Sequence, residues 1–531
     1  MSTITNTPEH PTDGPAVLVV GAGPAGLTAA ITLARNGVDV LLVERHAGTS
    51  PFPKATGVST RTMELLRGWG LEQRAAAAGM TVQPTFAISH TLLSPAQTTV
   101  PFGYPTEEQA RAVSPVVPAC IPQDHLEPVL RDHLVEQGGT IRFATELTNL
   151  AVGPTGVDAE LTDRKSGRRY HVHPRYVVGA DGPWSGVRSA MGIQVADLGT
   201  LGEFLAVTFR ADLTRQMSRR PSAINAVQVT GAEGLFVPTS ADDRWIYARE
   251  LRAEPGERLG DWTPERIGDV LRVGSGLPDL DPQILTVMPF VMGGHLATTF
   301  SAGPVFLVGD AAHRTTPVGG TGMNTAMQGA HNLGWKLAWV LRGWADESLL
   351  DSYELERRPI GEANVRRSLQ RGPNGEADGL AWDIGVQYSS PVFGSGVGVG
   401  GRAPHLWVRR PSGGASTLDL FGDHLTVLTG PHGAPWRRAA DELASEGLPI
   451  TTLTLGRDLS DELAHPGALA RRYGLGASGA VLIRPDGYVV WHRPSLTGES
   501  GASLRDAVDV ALSRPDRARG ARPSRQRRQA A

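Results

Sequence analysis

The feature that most constrains this chain is a glycine-rich loop, Gly21-Ala22-Gly23-Pro24-Ala25-Gly26, set between a wholly apolar run and an amphipathic one. Ala16 to Val20 is short and β-branched, as a strand buried on both faces must be. Pro24 to Asn36 places Leu27, Ala30, Ile31 and Ala34 at helical spacing, and Gly37 supplies a C-cap. Val38 to Val43 is a second buried strand, and Glu44 ends it. A strand-turn-helix-strand unit of this kind demands a parallel sheet with a right-handed crossover. Within the loop, Gly21 permits the tight turn and Gly23 lets backbone approach a pyrophosphate. Gly26 lets helix and strand pack closely, and the anion rests on the helix start at Pro24 and Ala25. Glu44, about twenty residues on, can accept both ribose hydroxyls of an adenosine. The loop predicts a dinucleotide site.

The bare pattern carries little by itself. Gly396-Val397-Gly398-Val399-Gly400-Gly401 also matches it, but no buried strand precedes it, no helix follows and no acid stands at the right distance. Two further segments narrow the cofactor. Phe306 to His313 is a buried strand running into Gly309-Asp310, and an Asp at the carboxyl end of a strand suits a polyol such as ribitol. Pro317-Val318-Gly319-Gly320-Thr321-Gly322-Met323-Asn324 then enters a long helix, Gly322 to Leu341. These glycines bring backbone N–H groups and a helix N-terminus to a ring that becomes anionic on reduction. The pair of segments predicts FAD rather than NAD.

With 531 residues the chain exceeds one core, and a formal net charge of -3 points to neither nucleic-acid nor membrane partners. Lysine occurs only at Lys54, Lys165 and Lys336, so an arginine here is the default cation and is not functional for being arginine. Cys120 is the only cysteine, which excludes a CxxC pair and a thiolate metal cluster. The polar, Pro-containing start is no signal peptide and no apolar run spans a bilayer, so a cytoplasmic protein is expected.

Alternation of patterns predicts an α/β chain with one sheet domain interrupted twice by an antiparallel one. The expected boundaries are 1–80, 105–190 and 290–371 for a discontinuous Rossmann-type FAD domain, and 81–104 with 191–289 for the antiparallel substrate domain. Residues 372–401 read as a linker, 402–514 as a small α/β domain and 515–531 as a disordered tail.

Three segments in order complete the picture: the N-terminal loop, Val178-Gly179-Ala180-Asp181-Gly182 with Ser185 and Arg188, and Gly309-Asp310. Over roughly Ala16 to Arg371 the chain resembles the class A flavoprotein monooxygenases, the family of p-hydroxybenzoate hydroxylase. Arg61-Thr62-Met63-Glu64-Leu65-Leu66, Pro122-Gln123, Ser416-Thr417-Leu418-Asp419 and Arg484-Pro485-Asp486-Gly487 make it most similar to the aromatic polyketide hydroxylases, whose C-terminal appendage is thioredoxin-like. That part, lacking CxxC, is expected to be structural or dimerising, so a homodimer is among the expected assemblies.

The resemblance implies FAD as cofactor, NAD(P)H as transient reductant, O2, and oxygen transfer from a flavin hydroperoxide to a small aromatic substrate. It places Glu44 on the adenosine ribose, Arg45 near adenine or phosphate, Leu147 against adenine and Gln123 near the ribityl or phosphate region. Asp181 belongs to the segment tied to both FAD and the nicotinamide donor. Asp310 would bind ribitol, and Gly322, Met323 and Asn324 the isoalloxazine edge. Lys54 stands where the family often has Arg, which loses bidentate geometry. A phenolic substrate also needs a base or hydrogen-bond partner; Tyr247 and Arg371 are the two candidates. Baeyer–Villiger or epoxidising chemistry on the same scaffold remains open, as do a reductase without oxygen insertion and a non-catalytic FAD-binding protein.

Overall fold

The computed structural model describes residues 14–101, 103–217, 221–241, 243–251, 257–370, 379–497 and 500–514. They fall into two units, one made of Met1–Ala338 and Tyr353–Val386, the other of Trp339–Ser352 and Gln387–Ala531.

In the first unit the buried apolar runs become a six-stranded sheet, ordered Ser301–Ala302, Val305–Leu307, Tyr176–Gly179, Val17–Val20, Val40–Val43 and Thr140–Arg142. All neighbours are parallel except the first pair. Helix Pro24–Arg35 buries nearly its whole length, and Gly334 of helix Gly322–Leu341 lies against it, where a Cβ would come 2.8 Å from Thr32 Cβ. Between the third and sixth of these strands in the chain, the hairpins Thr145–Val152, Val157–Asp163 and Arg169–Val172 form a separate sheet that the sequence pattern did not reveal.

The second sheet of this unit has eight strands, ordered His313–Arg314, Gln283–Ala297, Val195–Arg210, Arg244–Glu250, Gly234–Pro238, Ser222–Val227, Gln83–Ser89 and Thr98–Pro101. It is antiparallel except that Gln83–Ser89 runs parallel to Ser222–Val227, which corrects the expectation of a purely antiparallel region. Strand residues alternate between two faces. One face carries Val207, Phe209, Phe236, Trp245 and Tyr247, sealed by Ile267, Val270 and Leu271 of helix Pro264–Ser275. The register puts Phe86, Ile88, Leu235, Val237 and Ile246 on the opposite face, where they stay half-buried, together with an exposed Met288.

A buried ion pair ties this sheet to the helix that begins at Gln123: Arg244 Nη2 lies 2.7 Å from Asp124 Oδ2. His133 on that helix is buried and stacked on Trp69 at 6.3 Å. Its neighbour His125 is half-buried, with Nδ1 3.1 Å from the Ala78 carbonyl.

The second unit is built on four strands ordered Ile450–Thr454, Leu425–Thr429, Ala480–Ile483 and Val489–Arg493, with helices Ala434–Ser445 and Ser500–Ala511. Ser416 and Asp419 cap a 3-10 turn reciprocally, and Arg484 pairs with Asp486 at 2.6 Å within a cage of Tyr388, Phe393 and Tyr488. The described part of the segment read as a linker, 379–401, is packed structure. Gly394 and Gly400 donate N–H bonds to Val490 and Val489, and a Cβ at Gly396 would meet His492 Cβ at 2.6 Å. The second glycine pattern therefore serves close packing and opens no helix. The predicted tail, 515–531, lies outside the described residues.

Candidate active site

Three loops, distant in sequence, interlock at the carboxyl ends of the parallel strands. Gly21 has φ +106°, and a Cβ there would lie 2.4 Å from the Ala180 carbonyl oxygen. That contact joins the first motif to the second. A Cβ at Gly309, whose φ is +61°, would sit 2.9 Å from Ala25 Cβ, which joins the third motif to the first. Arg188 closes the triangle: Nη1 donates to the Ala311 carbonyl at 2.9 Å and Nη2 to Pro183 at 2.9 Å. Gly26 presses on Gly21, with its Cβ position 1.8 Å from the Gly21 oxygen, whereas nothing lies within 4 Å of the one at Gly23. A free approach at Gly23, beside an uncapped helix start, is what a pyrophosphate requires.

Glu44 stands beside this cradle. Its carboxylate accepts the Ala22 N–H at 2.9 Å and the His46 N–H at 2.9 Å, which aims it across the loop. The backbone from Arg142 to Thr145 runs alongside Glu44 and His46, so the half-buried Leu147 lies just beyond the acid. Arg45 and Lys54 are exposed. Gln123 opens its helix with Nε2 donating to Glu127 at 2.6 Å. Asp181 accepts from Ser185 Oγ at 2.5 Å and from the Val187 N–H at 3.0 Å, so its first task here is to hold the turn after Gly182.

Asp310 sits in the 3-10 turn Gly309–Ala311. Its side chain is open to solvent, yet the protein around it raises its pKa, with Arg314 and Lys54 pulling the other way. Both observations hold together if the carboxyl lines a recess rather than the outer surface. Past the turn, Pro317 leads to Gly319 and Gly320, at φ +79° and +63°, and helix Gly322–Leu341 starts at once. Met323 is buried. Asn324 works as a knot: Oδ1 accepts the Ser59 N–H at 2.8 Å, while Nδ2 donates to Gly57, Tyr104 and Gly320 within 3.1 Å.

Tyr104 is a site residue that sequence reasoning misses, because Gly103-Tyr104-Pro105 belongs to no motif. Its hydroxyl donates to the Gly320 carbonyl at 2.6 Å, and burial holds the phenol neutral by raising its pKa. Removing that oxygen in Tyr104→Phe leaves Asn324 Nδ2 to hold the Gly320 carbonyl at 3.0 Å and takes one acceptor from Asn324, at a cost of roughly 1 kcal/mol. We expect weaker FAD retention with the fold intact, checked by flavin release during dilution.

The structure moves Tyr247 away from catalysis. It is fully buried in the sheet's sealed core, 5.1 Å from the Phe236 ring, and its hydroxyl donates to the Glu233 carbonyl at 3.0 Å. Alternation along the strand turns it away from the half-buried face. Tyr247→Phe should therefore keep turnover within about twofold while lowering stability by roughly 1 kcal/mol. A loss of activity without loss of stability would restore it as a candidate base. Arg371 lies outside the described residues.

These residues can hold an FAD. A family model described as an FAD binding domain matches residues 15–368, and one described as the C-terminal part of aromatic-ring hydroxylases matches 397–515. The chain belongs to the FAD-dependent aromatic-ring hydroxylases. This monooxygenase is 35% identical to tetracenomycin A2 monooxygenase-dioxygenase of Streptomyces glaucescens, over 94% of this chain and 97% of that one. It is 34% identical to an aklavinone 12-hydroxylase of Streptomyces purpurascens, over 94% and 99%. Among solved structures it resembles aklavinone-11 hydroxylase in complex with FAD and aklavinone, with a TM-score of 0.85, 32% identity, and 96% and 100% of the two chains covered. Among the described residues, no helix is long and apolar enough to cross a membrane, and no His, Cys, Asp and Glu cluster could hold a metal.

Proposed function

We propose that this monooxygenase hydroxylates an aromatic, polycyclic polyketide-type substrate with NAD(P)H and O2. One observation carries the reading: the eight-stranded sheet grows directly out of the flavin turn. Strand His313–Arg314 follows Gly309–Ala311 and pairs with His295 and Leu296, and the sheet's second face is apolar and half-exposed. A flat ring system matches such a face, and related proteins are named tetracenomycin A2 monooxygenase-dioxygenase and aklavinone 12-hydroxylase. When bound, FAD supplies the redox chemistry and the activation of oxygen. The chain's own residues bind, orient and exclude water. Gly21, Gly23, Pro24, Ala25 and Gly26 receive the pyrophosphate and Glu44 the ribose, with Arg45, Leu147 and Gln123 around the adenosine half. Asp310 takes the ribitol, with Lys54 and Asp181 nearby. The N–H groups that open helix Gly322–Leu341 would stabilise negative charge on the bound flavin's pyrimidine edge, and Pro317, Gly320, Met323 and Asn324 would hold that edge.

The same reading makes 1–80, 105–190 and 290–371 the FAD-binding domain, 81–104 and 191–289 the substrate domain, and 402–514 a thioredoxin-like domain with a structural or dimerising role in a cytoplasmic enzyme. The test is product analysis under isotopically heavy oxygen with a hydroxyanthraquinone panel. One heavy oxygen in a new phenolic hydroxyl is expected; a ring-expanded lactone would assign Baeyer–Villiger chemistry instead. NAD(P)H oxidation that consumes no oxygen would assign a reductase. The half-buried face gives a second test: Ile246→Trp should lower turnover at least tenfold with FAD retained.

A further inference from the structure

Arg367, in the last turn of helix Asp351–Ser368, is 5% exposed, and neither its Nε nor its Nη2 has a hydrogen-bond acceptor among the described residues. These two N–H groups share one edge of the guanidinium, the side-on fork that grips paired oxygens. The Trp382 indole covers the cation's face at 4.9 Å, so approach is left to the edge. Groups nearby are already committed. Asp383 accepts the Thr60 and Arg61 N–H groups at 2.8 and 3.1 Å, and the Tyr104 hydroxyl serves Gly320 and Asn324. A buried arginine edge without an acceptor is costly, and its retention points to an anion that arrives from outside the chain.

Its place in the fold says which anion. Ser368, the next residue, accepts the Thr316 N–H at 3.0 Å and, through its carbonyl, the Thr316 hydroxyl at 2.5 Å. Tyr104, within electrostatic reach of Arg367, holds Gly320 at the other end of the same loop. The fork therefore lies beside the loop Thr316–Gly320 that leads into the flavin-edge helix. We propose that Arg367 binds the aromatic substrate through two neighbouring oxygens, a ring hydroxyl beside a ketone, and holds the hydroxyl as its phenolate. The proton leaves to solvent while the guanidinium stays charged, and the ionised ring is the more electron-rich acceptor for oxygen. This rests on the hydroxylase reading above. It names a substrate-facing cation at Arg367, four residues before Arg371 in the sequence.

The experiment uses the FAD-loaded full chain and chrysazin, a dihydroxyanthraquinone whose hydroxyls flank one ketone and whose ionisation changes its visible colour. Bound to the wild type, the dye should ionise at least about one pH unit lower than in solution. Arg367→Met should bind it at least about tenfold more weakly and abolish the shift, while Arg367→Lys keeps the charge and part of the shift but loses the fork. Flavin content and reduction potential should stay unchanged in both. The proposal is overturned if chrysazin fails to bind the wild type, if it binds with its solution ionisation, or if Arg367→Met leaves the shift intact. It is also overturned if the variants alter flavin potential and not dye ionisation, because the fork then serves the flavin. If the wild type shifts the dye yet oxygenates no hydroxyanthraquinone, the hydroxylase reading fails and the anion site stands.

Discussion

Gly26→Val is expected to yield protein without bound FAD. The added Cβ would lie 1.8 Å from the Gly21 carbonyl oxygen, a backbone atom that itself abuts Ala180, so no side-chain movement relieves the clash. Overpacking of this kind costs roughly 1–3 kcal/mol in stability. The larger effect falls on the ligand, since the loop must open where a pyrophosphate needs its N–H groups aligned; we expect at least about a hundredfold loss of affinity, on the order of 3 kcal/mol. Gly23→Ala is the informative companion. Beyond its own chain neighbours nothing lies within 4 Å of the added Cβ, so the free protein should melt as the wild type does while FAD binds more weakly. The flavin-to-protein absorbance ratio and melting of flavin-stripped protein separate the two effects. Full flavin content in Gly26→Val would sink the assignment of this loop.

The second large effect lies away from the site. Lys336 and Glu356 are completely buried and 2.9 Å apart, with Asn332 Nδ2 donating to the same carboxylate at 2.8 Å. Glu356→Leu takes the carboxylate from a fully buried ammonium and should destabilise the fold by roughly 3–5 kcal/mol. The double variant Lys336→Met with Glu356→Leu removes both charges and should recover most of that loss, because a buried pair is often worth little against well-packed apolar groups. Comparing melting temperatures of single and double variants checks it. A double variant no more stable than Glu356→Leu alone would falsify the account.

What the sequence disclosed follows the range of the interactions involved. Glycine spacing is a local consequence of turn geometry, so the parallel strands, the cradle and the decoy at Gly396 were all legible. The strands of the eight-stranded sheet were visible, but not the parallel pairing of Gln83–Ser89 with Ser222–Val227, since register depends on partners far along the chain. Tyr247 misled because a tyrosine on a strand reads the same from either face; only the sheet's neighbours tell which face is sealed. Arg367 was hidden by composition. In an arginine-rich chain one more arginine in a helix carries no weight until its lack of an acceptor is seen.

The interlock of Gly21 with Ala180, Ala25 with Gly309 and Arg188 with Ala311 also sets an order of events during synthesis. A nascent chain that has cleared the ribosome only as far as the second motif has its glycine turn but no partner for Ala25, and its pyrophosphate loop stays unbraced. Cofactor capture must wait until the strand ending at Leu307 has threaded in beside Tyr176–Gly179, a long-range pairing that forms slowly. Truncations ending before Ala311 should thus bind no flavin, however complete the N-terminal fingerprint looks on paper.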